Sequence, residues 1–277
     1  MIPIRKNIQY HQNQEIFCAF SEQSLSESDR KEFIAYQKTD QQRSDNKGIE
    51  VFDDIVFKSN FIKTFQQLIP CLALSGNEKI LEMGAGQGWA SVILKNKYPN
   101  SYVVASDLVP VALNFCTNYE KLLNSYIDEK WAFNCRDIPF EDNQFDRVFT
   151  MAAFHHFGEN NDYSKTLKEM VRVLKPQGKI MLLYEPSSPK YLYNLAYKRV
   201  NQRRDLDGVD EDVLILSKIQ ESVERINCNF RAELFPEFSY REGFKSTVYY
   251  YFLSKLGRLS RLLVSTVNII GKNNALT

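Results

Sequence analysis

Residues Lys79 to Lys95 read as a strand, a glycine cluster and a helix with no linker between them. Lys79-Ile80-Leu81-Glu82-Met83 is a short apolar run of strand length. Gly84-Ala85-Gly86-Gln87-Gly88 follows at once, and Trp89 to Lys95 continues with helical character. Glycine at such a junction lets the backbone approach a ligand closely, and the first turn of the helix offers unpaired N–H groups. The spacing is not the G-x-G-x-x-G of dinucleotide binders. The third glycine comes one place early, and Trp89 stands where that motif wants it. Glu82, two residues before the first glycine, would repel a pyrophosphate but attract an ammonium group.

The same alternation recurs downstream. Strands are expected at Tyr102–Ser106, Lys130–Asn134, Phe145–Met151 and Lys179–Tyr184. Helices are expected at Pro110–Leu123 and over the face Leu167, Met170, Val171, Leu174, ending at Lys175-Pro176-Gln177-Gly178. Before the glycine loop, Val56 to Leu74 has helical spacing. Beyond Pro186, helices are expected at Tyr191–Arg203, Glu211–Asn227 and Tyr249–Leu263, with strands at Phe230–Phe235 and Val264–Gly271. The expected fold is α/β: a Rossmann-like, doubly wound, mostly parallel seven-stranded sheet with helices on both faces. It carries an N-terminal helical extension and a helical insertion after the fifth strand. Residues 1–55 form the extension, either a lid or a solvated appendage, in which Ser26-Glu27-Ser28-Asp29 resembles a capping box opening a helix over Lys31–Arg43. Residues 56–277 form the main domain: a ligand-binding core at 79–186, an elaboration at 187–228, and C-terminal strands and a helix at 229–277.

Ligands of such sheets bind at the carboxyl ends of the strands, so residues just past each strand are the candidates. Asp107 follows the second strand, where it can accept both hydroxyls of a ribose or cap the next helix. Asp137, in Cys135-Arg136-Asp137-Ile138-Pro139, follows the third strand. It suits an adenine amino group, with Ile138 against the ring, or a turn before proline. His155 and His156 follow the fourth strand; they are candidate bases near neutral pH or pocket-lining residues. Glu185 follows the fifth strand, where it can orient a substrate hydroxyl or end the strand. No metal is expected, since the two histidines lack nearby partners of ligand spacing other than Glu159 and Asp162.

Ile80-Leu81-Glu82-Met83-Gly84-Ala85-Gly86-Gln87-Gly88, Ser106-Asp107, Asp137-Ile138-Pro139-Phe140 with Phe145-Asp146-Arg147-Val148, and Arg172-Val173-Leu174-Lys175-Pro176-Gln177-Gly178-Lys179 occur in that order. Together they resemble class I S-adenosylmethionine-dependent methyltransferases of the small-molecule, type 11 kind. The resemblance implies S-adenosyl-L-methionine as cofactor. It assigns Glu82, Gly84, Ala85, Gly86 and Gly88 to the methionine end and Asp107 to the ribose. Leu108, Asp137 and Ile138 would serve the adenine, and the backbone at Met151 and Ala152 would complete the pocket. Trp89 departs from the smaller residue common in the family; it either narrows the pocket or packs on the sheet. Methyl transfer is chiefly a matter of alignment, and a hydroxyl nucleophile adds the need for a base, for which His156, or His155, is the candidate.

Composition restricts the acceptor. Lys plus Arg is 35 and Asp plus Glu is 34, a net charge of +1, so a dedicated nucleic-acid binder is not expected. Five dispersed cysteines fit a reducing, cytoplasmic setting, and neither a signal peptide nor a membrane-spanning stretch is evident. Lys190, Lys198, Arg199, Arg203 and Arg204 interleave with tyrosines, and the last thirty residues hold four basic and no acidic side chains. Phe252, Leu256, Leu259 and Leu263 share a helical face there. That face either packs on the core or meets an anionic lipid or lipid-linked acceptor. The expected function is methylation of a small molecule, sugar- or lipid-linked or a natural product. A quinone-type ring C-methyltransferase, suggested by Phe154-His155-His156-Phe157, and a non-catalytic cofactor-binding protein are the alternatives.

Overall fold

The computed structural model describes all residues except 7, 14, 46–48, 160, 203–210, 227, 236, 240, 242 and 274–277. Its strands are β1 (His11–Asn13), β2 (Ile16–Cys18), β3 (Lys79–Met83), β4 (Tyr102–Asp107), β5 (Glu129–Ala132), β6 (Phe145–Met151), β7 (Leu174–Ser188), β8 (Leu214–Ile215), β9 (Cys228–Leu234) and β10 (Ser265–Asn273). They form one sheet in the order β1-β2-β5-β4-β3-β6-β7-β10-β9, with β8 pairing to β7. The run from β5 to β7 is parallel, and β10 lies antiparallel between β7 and β9. These are the seven expected strands; β1, β2 and β8 are short additions.

Period-two alternation builds the layers. Ile80, Val103, Phe149, Met181 and Leu183 enter one core, with Phe65, Leu68, Val92 and Cys116. Leu81, Val104, Val148, Ile180 and Leu182 enter the other, with Tyr163, Leu167 and Met170. The first core is roofed by α2 (Ile49–Leu68), α3 (Trp89–Lys97) and α5 (Cys116–Leu123), the second by α6 (Ser164–Val173). Trp89 packs into the first core, edge-on to Phe65 with ring centroids 5.6 Å apart. The strand order reverses between β3 and β6, which opens a crevice at their carboxyl ends.

Several boundaries differ from the sequence pattern. The expected helix Pro110–Leu123 is two, α4 (Pro110–Asn114) and α5, joined at Phe115. Leu174 belongs to β7 rather than to α6. The expected helix from Glu211 begins only at α8 (Leu216–Val223), because Leu214 and Ile215 pair with Ser187 and Ser188. Ahead of it, α7 spans Tyr193–Asn201; Arg203, Arg204 and Asn227 lie outside the described residues.

The N-terminal residues contribute structure at the sheet edge. Ile2 is buried, its N–H donates to Glu129 at 2.6 Å, and β2 runs parallel to β5. Helix α1 spans Glu27–Asp45. Ser26 Oγ accepts the Asp29 N–H at 3.2 Å as expected of a cap, but the Asp29 carboxylate turns inward to Arg136 and Asn134.

The C-terminal apolar face differs most. Helix α9 (Phe244–Lys255) buries only Leu253, and Gly257, at φ 53, turns the chain into a 3-10 stretch, Gly257–Leu262. Phe252 and Leu256, before that turn, and Leu259, after it, are all exposed rather than core-facing.

Candidate functional site at the carboxyl edge of the sheet

The crevice is lined by Met83, Gly84 and Gly86 from the glycine loop, and by Ser106, Asp107, Leu108 and Val109 after β4. Asn134 and Cys135 after β5, and Ala152, Ala153, His156 and Phe157 after β6, continue the wall. Asp29, Glu32 and Tyr36 of α1 and Glu211 close it from outside the sheet.

The loop glycines all have positive φ: 67° at Gly84, 52° at Gly86 and 72° at Gly88. A Cβ on Gly84 would lie 2.7 Å from Ala153 Cβ, and one on Gly88 would lie 2.7 Å from Cys116 Sγ. A Cβ on Gly86 would meet nothing within 4 Å, because that residue faces the open crevice. Asp107 fastens the loop: its Oδ2 accepts the Gly86 N–H at 2.7 Å and its Oδ1 accepts the Val109 N–H at 2.9 Å. The carboxylate thus sits at the mouth of the loop and also serves the turn into α4.

Glu82 lies beneath this loop, buried, with Ser91 Oγ donating to its carboxylate. Burial pushes its carboxyl up to about 8, and the nearby Asp107 charge adds to the rise. It does not line the crevice; nor do Ala85, Gly88 and Met151, which are partly or wholly packed in the core layers. Ala152 does line it, held at φ 52 with its N–H on the Leu183 carbonyl at 2.9 Å.

Two residues expected at the adenine stand elsewhere. Asp137 is exposed and pairs with Arg5, and Ile138 is wholly buried in the second core. The cause is the turn after β5: the Asp137 N–H returns to the Asn134 carbonyl at 2.9 Å, which leaves Asn134 and Cys135 at the crevice.

The histidines occupy a 3-10 turn, Phe154–His156, directly after β6. Glu185, fully buried on β7, accepts the backbone N–H groups of Ala153, Phe154 and His155 at 3.0–3.2 Å and His155 Nδ1 at 2.8 Å. It is the anchor of the turn and does not reach the crevice. Burial would raise its carboxyl, but these donors hold it below the usual range. Burial and the neighbouring His156 hold the buried His155 imidazole below its ordinary pKa. Only His156 reaches the crevice, with Tyr36 edge-on to its ring at 6.1 Å. Its Nδ1 lies 2.8 Å from Glu32 and its Nε2 lies 3.0 Å from Glu211. Glu211 is delivered by α7: Asn201 bonds its N–H at 2.7 Å and its carbonyl at 3.0 Å.

Glu32 and Tyr36 belong to no motif, Asp29 reads in the sequence only as part of a capping box and Glu211 only as a helix start, and all four lie far from the glycine loop in the chain. Their only common feature is a tertiary one. The buried pair of Asp29 with Arg136 and the Asn201 clasp on Glu211 bring them to the crevice.

The fold and this crevice define a class I methyltransferase-like architecture. Residues 81–182 match the family model described as a methyltransferase domain. Among enzymes, the chain is similar to the demethylmenaquinone methyltransferase of Thermus thermophilus, 31% identical over 126 residues, 46% of this chain and 56% of that enzyme. The chain spans about half the length of the relatives it matches. Among solved structures, the YcgJ protein of Bacillus subtilis aligns over 77% of this chain and 99% of its own, with 16% identity and a TM-score of 0.57. Haemonchus contortus phosphoethanolamine N-methyltransferase 2, solved with S-adenosyl-L-methionine, aligns over 79% of this chain and 53% of its own, with 16% identity and a TM-score of 0.53.

Proposed function

We propose that this chain is an S-adenosyl-L-methionine-dependent methyltransferase acting on a small-molecule acceptor. The observation that carries the reading is the pairing of Gly86 with Asp107. An open backbone face stands beside a carboxylate at the end of β4, within the segment that matches the methyltransferase domain. The residues fit the cofactor. Gly84 and Gly86 leave room for its methionine end, Asp107 offers acceptors for the ribose hydroxyls, and Leu108, Asn134 and Cys135 border the adenine side. Glu82 supports the loop from below. When bound, the cofactor supplies an electrophilic methyl group on sulfur, and the protein's task is alignment and exclusion of water. His156, Glu211, Glu32 and Tyr36 form the acceptor side, and α1 covers it as a lid, tied down through Asp29 and Arg136.

The acceptor is lipid-linked or otherwise held at a membrane surface. Phe244, Tyr251, Phe252, Leu256, Leu259 and Leu262 are exposed, alongside exposed Lys245, Lys255, Arg258 and Arg261. Helix α7 adds exposed Leu195, Lys198 and Arg199, and its Asn201 holds Glu211 at the acceptor end. Aromatic and aliphatic side chains among basic ones suit the interface of an anionic bilayer. No helix among the described residues is long and apolar enough to cross one. The described cysteines are all free, which suits a cytoplasmic protein. Similarity to a demethylmenaquinone methyltransferase favours a second reading, ring C-methylation of an isoprenoid quinone, which is equally membrane-borne.

The test has two parts. Calorimetry with S-adenosyl-L-methionine should show one site per chain. Incubation with lipid extracts and labelled cofactor should then release S-adenosylhomocysteine and label a lipid-phase product. Binding with no turnover on any extract would favour a cofactor sensor. No binding at all would remove the proposal. Co-sedimentation with anionic but not zwitterionic vesicles, weakened in Phe252→Ser with Leu256→Ser, would support the surface assignment; equal recovery in the supernatant with both vesicle types would oppose it.

A further inference from the structure

We infer that His155, His156 and Glu211 hold a divalent transition-metal ion at the acceptor end of the crevice. His155 Nε2 lies 2.6 Å and His156 Nε2 3.0 Å from the same oxygen, Oε2 of Glu211. The three ligating atoms all lie within 4.8 Å of one another. The opposite nitrogen of each ring is already committed to a carboxylate: His155 Nδ1 to Glu185 at 2.8 Å and His156 Nδ1 to Glu32 at 2.8 Å.

Hydrogen-bond bookkeeping makes the trio unusual. Glu185 accepts three backbone N–H groups, so it is an ionised acceptor and His155 Nδ1 must carry the proton. His156 Nδ1 faces the Glu32 carboxylate in the same way, at 2.8 Å. Both Nε2 atoms converge on the same carboxylate oxygen, Oε2 of Glu211. A proton on each ring nitrogen, or one cation bound by all three atoms, can stand between them. A divalent cation satisfies all three. It also offsets the charge of Glu32, Glu185 and Glu211, three carboxylates gathered about two imidazoles in a largely buried cluster.

The surroundings have the form of a metal site. Ligating histidines characteristically donate their second N–H to a carboxylate, which fixes the tautomer and the ring orientation; here both do. Two imidazoles and one carboxylate suit zinc, iron or manganese better than magnesium or calcium. Metal–ligand bonds of ~2.0–2.2 Å keep tetrahedral ligand atoms about 3.3–3.5 Å apart, so the two contacts need widen by less than about 1 Å. The turn bearing the histidines is anchored by Glu185, and Glu211 is held from a separate segment by Asn201. His156 and Glu211 line the crevice, so a coordination position left open by three protein ligands faces it. An oxygen of the acceptor would occupy that position; this last step rests on the methyltransferase reading, whereas the metal site does not.

The full chain, stripped with chelator, is titrated with Co²⁺ and followed by its visible d–d absorption, with Zn²⁺ competition by calorimetry. S-adenosyl-L-methionine binding is measured on the same samples. One ion per chain is expected, with affinity reduced at least tenfold to a hundredfold in His156→Ala and in Glu211→Gln, and about tenfold in Glu32→Gln. His11→Ala, the third histidine, on β1, should bind as wild type does. Circular dichroism confirms folding of each variant, and Glu211→Gln, nearly isosteric at the crevice edge, serves if His156→Ala fails to fold. Absence of a one-equivalent Co²⁺ spectrum up to about 1 mM, a millimolar Kd being scarcely any affinity, would overturn the site. So would wild-type affinity in the folded Glu211→Gln variant. An ion bound without cofactor binding would refute the methyltransferase reading alone; cofactor bound without an ion would refute this site alone.

Discussion

Replacing Gly86 with alanine isolates the cofactor's footprint from the stability of the loop. The residue sits at φ 52, where an L-residue costs ~1–2 kcal/mol relative to glycine. Nothing stands within 4 Å of the added Cβ, so no steric penalty joins the conformational one. The variant should therefore fold and melt only a few degrees below wild type, at roughly 2–4 °C per kcal/mol for a chain of this size. The new methyl projects into the crevice. If the cofactor lies against that backbone face, displacing it amounts to overpacking, ~1–3 kcal/mol. That is about fivefold to 150-fold in Kd. Gly84→Ala and Gly88→Ala are the contrast. Their Cβ atoms would sit 2.7 Å from Ala153 Cβ and from Cys116 Sγ, so each should lose considerably more in melting temperature than Gly86→Ala. Thermal denaturation and calorimetry with S-adenosylhomocysteine on the three variants give both readouts. A folded Gly86→Ala with unchanged affinity would mean that no ligand lies on the open face of the loop, and the assignment of this crevice would fall.

Asp107→Ala removes the acceptors for the Gly86 and Val109 N–H groups, and with them those proposed for the ribose, and should weaken cofactor binding by ~1.5–3 kcal/mol, about tenfold to a hundredfold, with a measurable fall in melting temperature. Glu82→Gln should stabilise the ligand-free protein at neutral pH. The folded carboxyl is raised from 4.5 to about 8, so the unfolded chain ionises first, and wild-type stability is lost progressively as pH rises from about 4.5 through about 8. Urea denaturation against pH should show the variant level with wild type at pH 4 and ahead of it near pH 8; a pH-independent gap would refute the raised carboxyl. Deleting residues 265–277 removes β10 from between β7 and β9, exposes two paired edges and should yield aggregated protein, whereas recovery of a folded monomer by size-exclusion chromatography would contradict the pairing.

What the chain revealed in advance divides by distance along it. The sheet was legible because its determinants are local: alternating apolar residues in each strand, Gly84 to Gly88 at the first turn, proline and glycine closing others. The glycine loop, Asp107, Ala152 and the histidine turn were legible for the same reason, each lying within a few residues of a strand's carboxyl end. Proximity to a strand end was insufficient at Asp137 and Ile138, because a single backbone hydrogen bond to Asn134 decides which side chain after β5 faces the crevice. It was misleading for Glu185, whose position one residue after the expected end of its strand suggested the crevice, yet β7 continues to Ser188 and keeps the carboxylate buried. The apolar stripe of the last helix was misleading as a core face, because α9 buries only Leu253 and the helix gives way to a 3-10 turn at Gly257. Asp29, Glu32, Tyr36 and Glu211 could not be foreseen, because only tertiary ties deliver them.

That division has a functional corollary. The floor under the proposed cofactor is built by one contiguous supersecondary unit, β3 through β4, whose loop geometry is fixed by positive-φ glycines and by Asp107. The proposed acceptor wall is assembled from α1, the turn after β6, and the segment bearing Glu211, which are held together by the Asp29–Arg136 pair, the Glu185 anchor and the Asn201 clasp. Two of these three ties involve buried charge, which contributes little net stability when complete but is costly to leave half-made. Changes in α1 or around Glu211 can therefore alter which acceptor fits without touching the cofactor floor, provided each charge keeps its partner. Asn201 ties α7, which carries exposed Leu195, Lys198 and Arg199, to Glu211; if the proposed membrane surface includes α7, substitutions at Asn201 should alter both vesicle binding and the geometry of the proposed acceptor end.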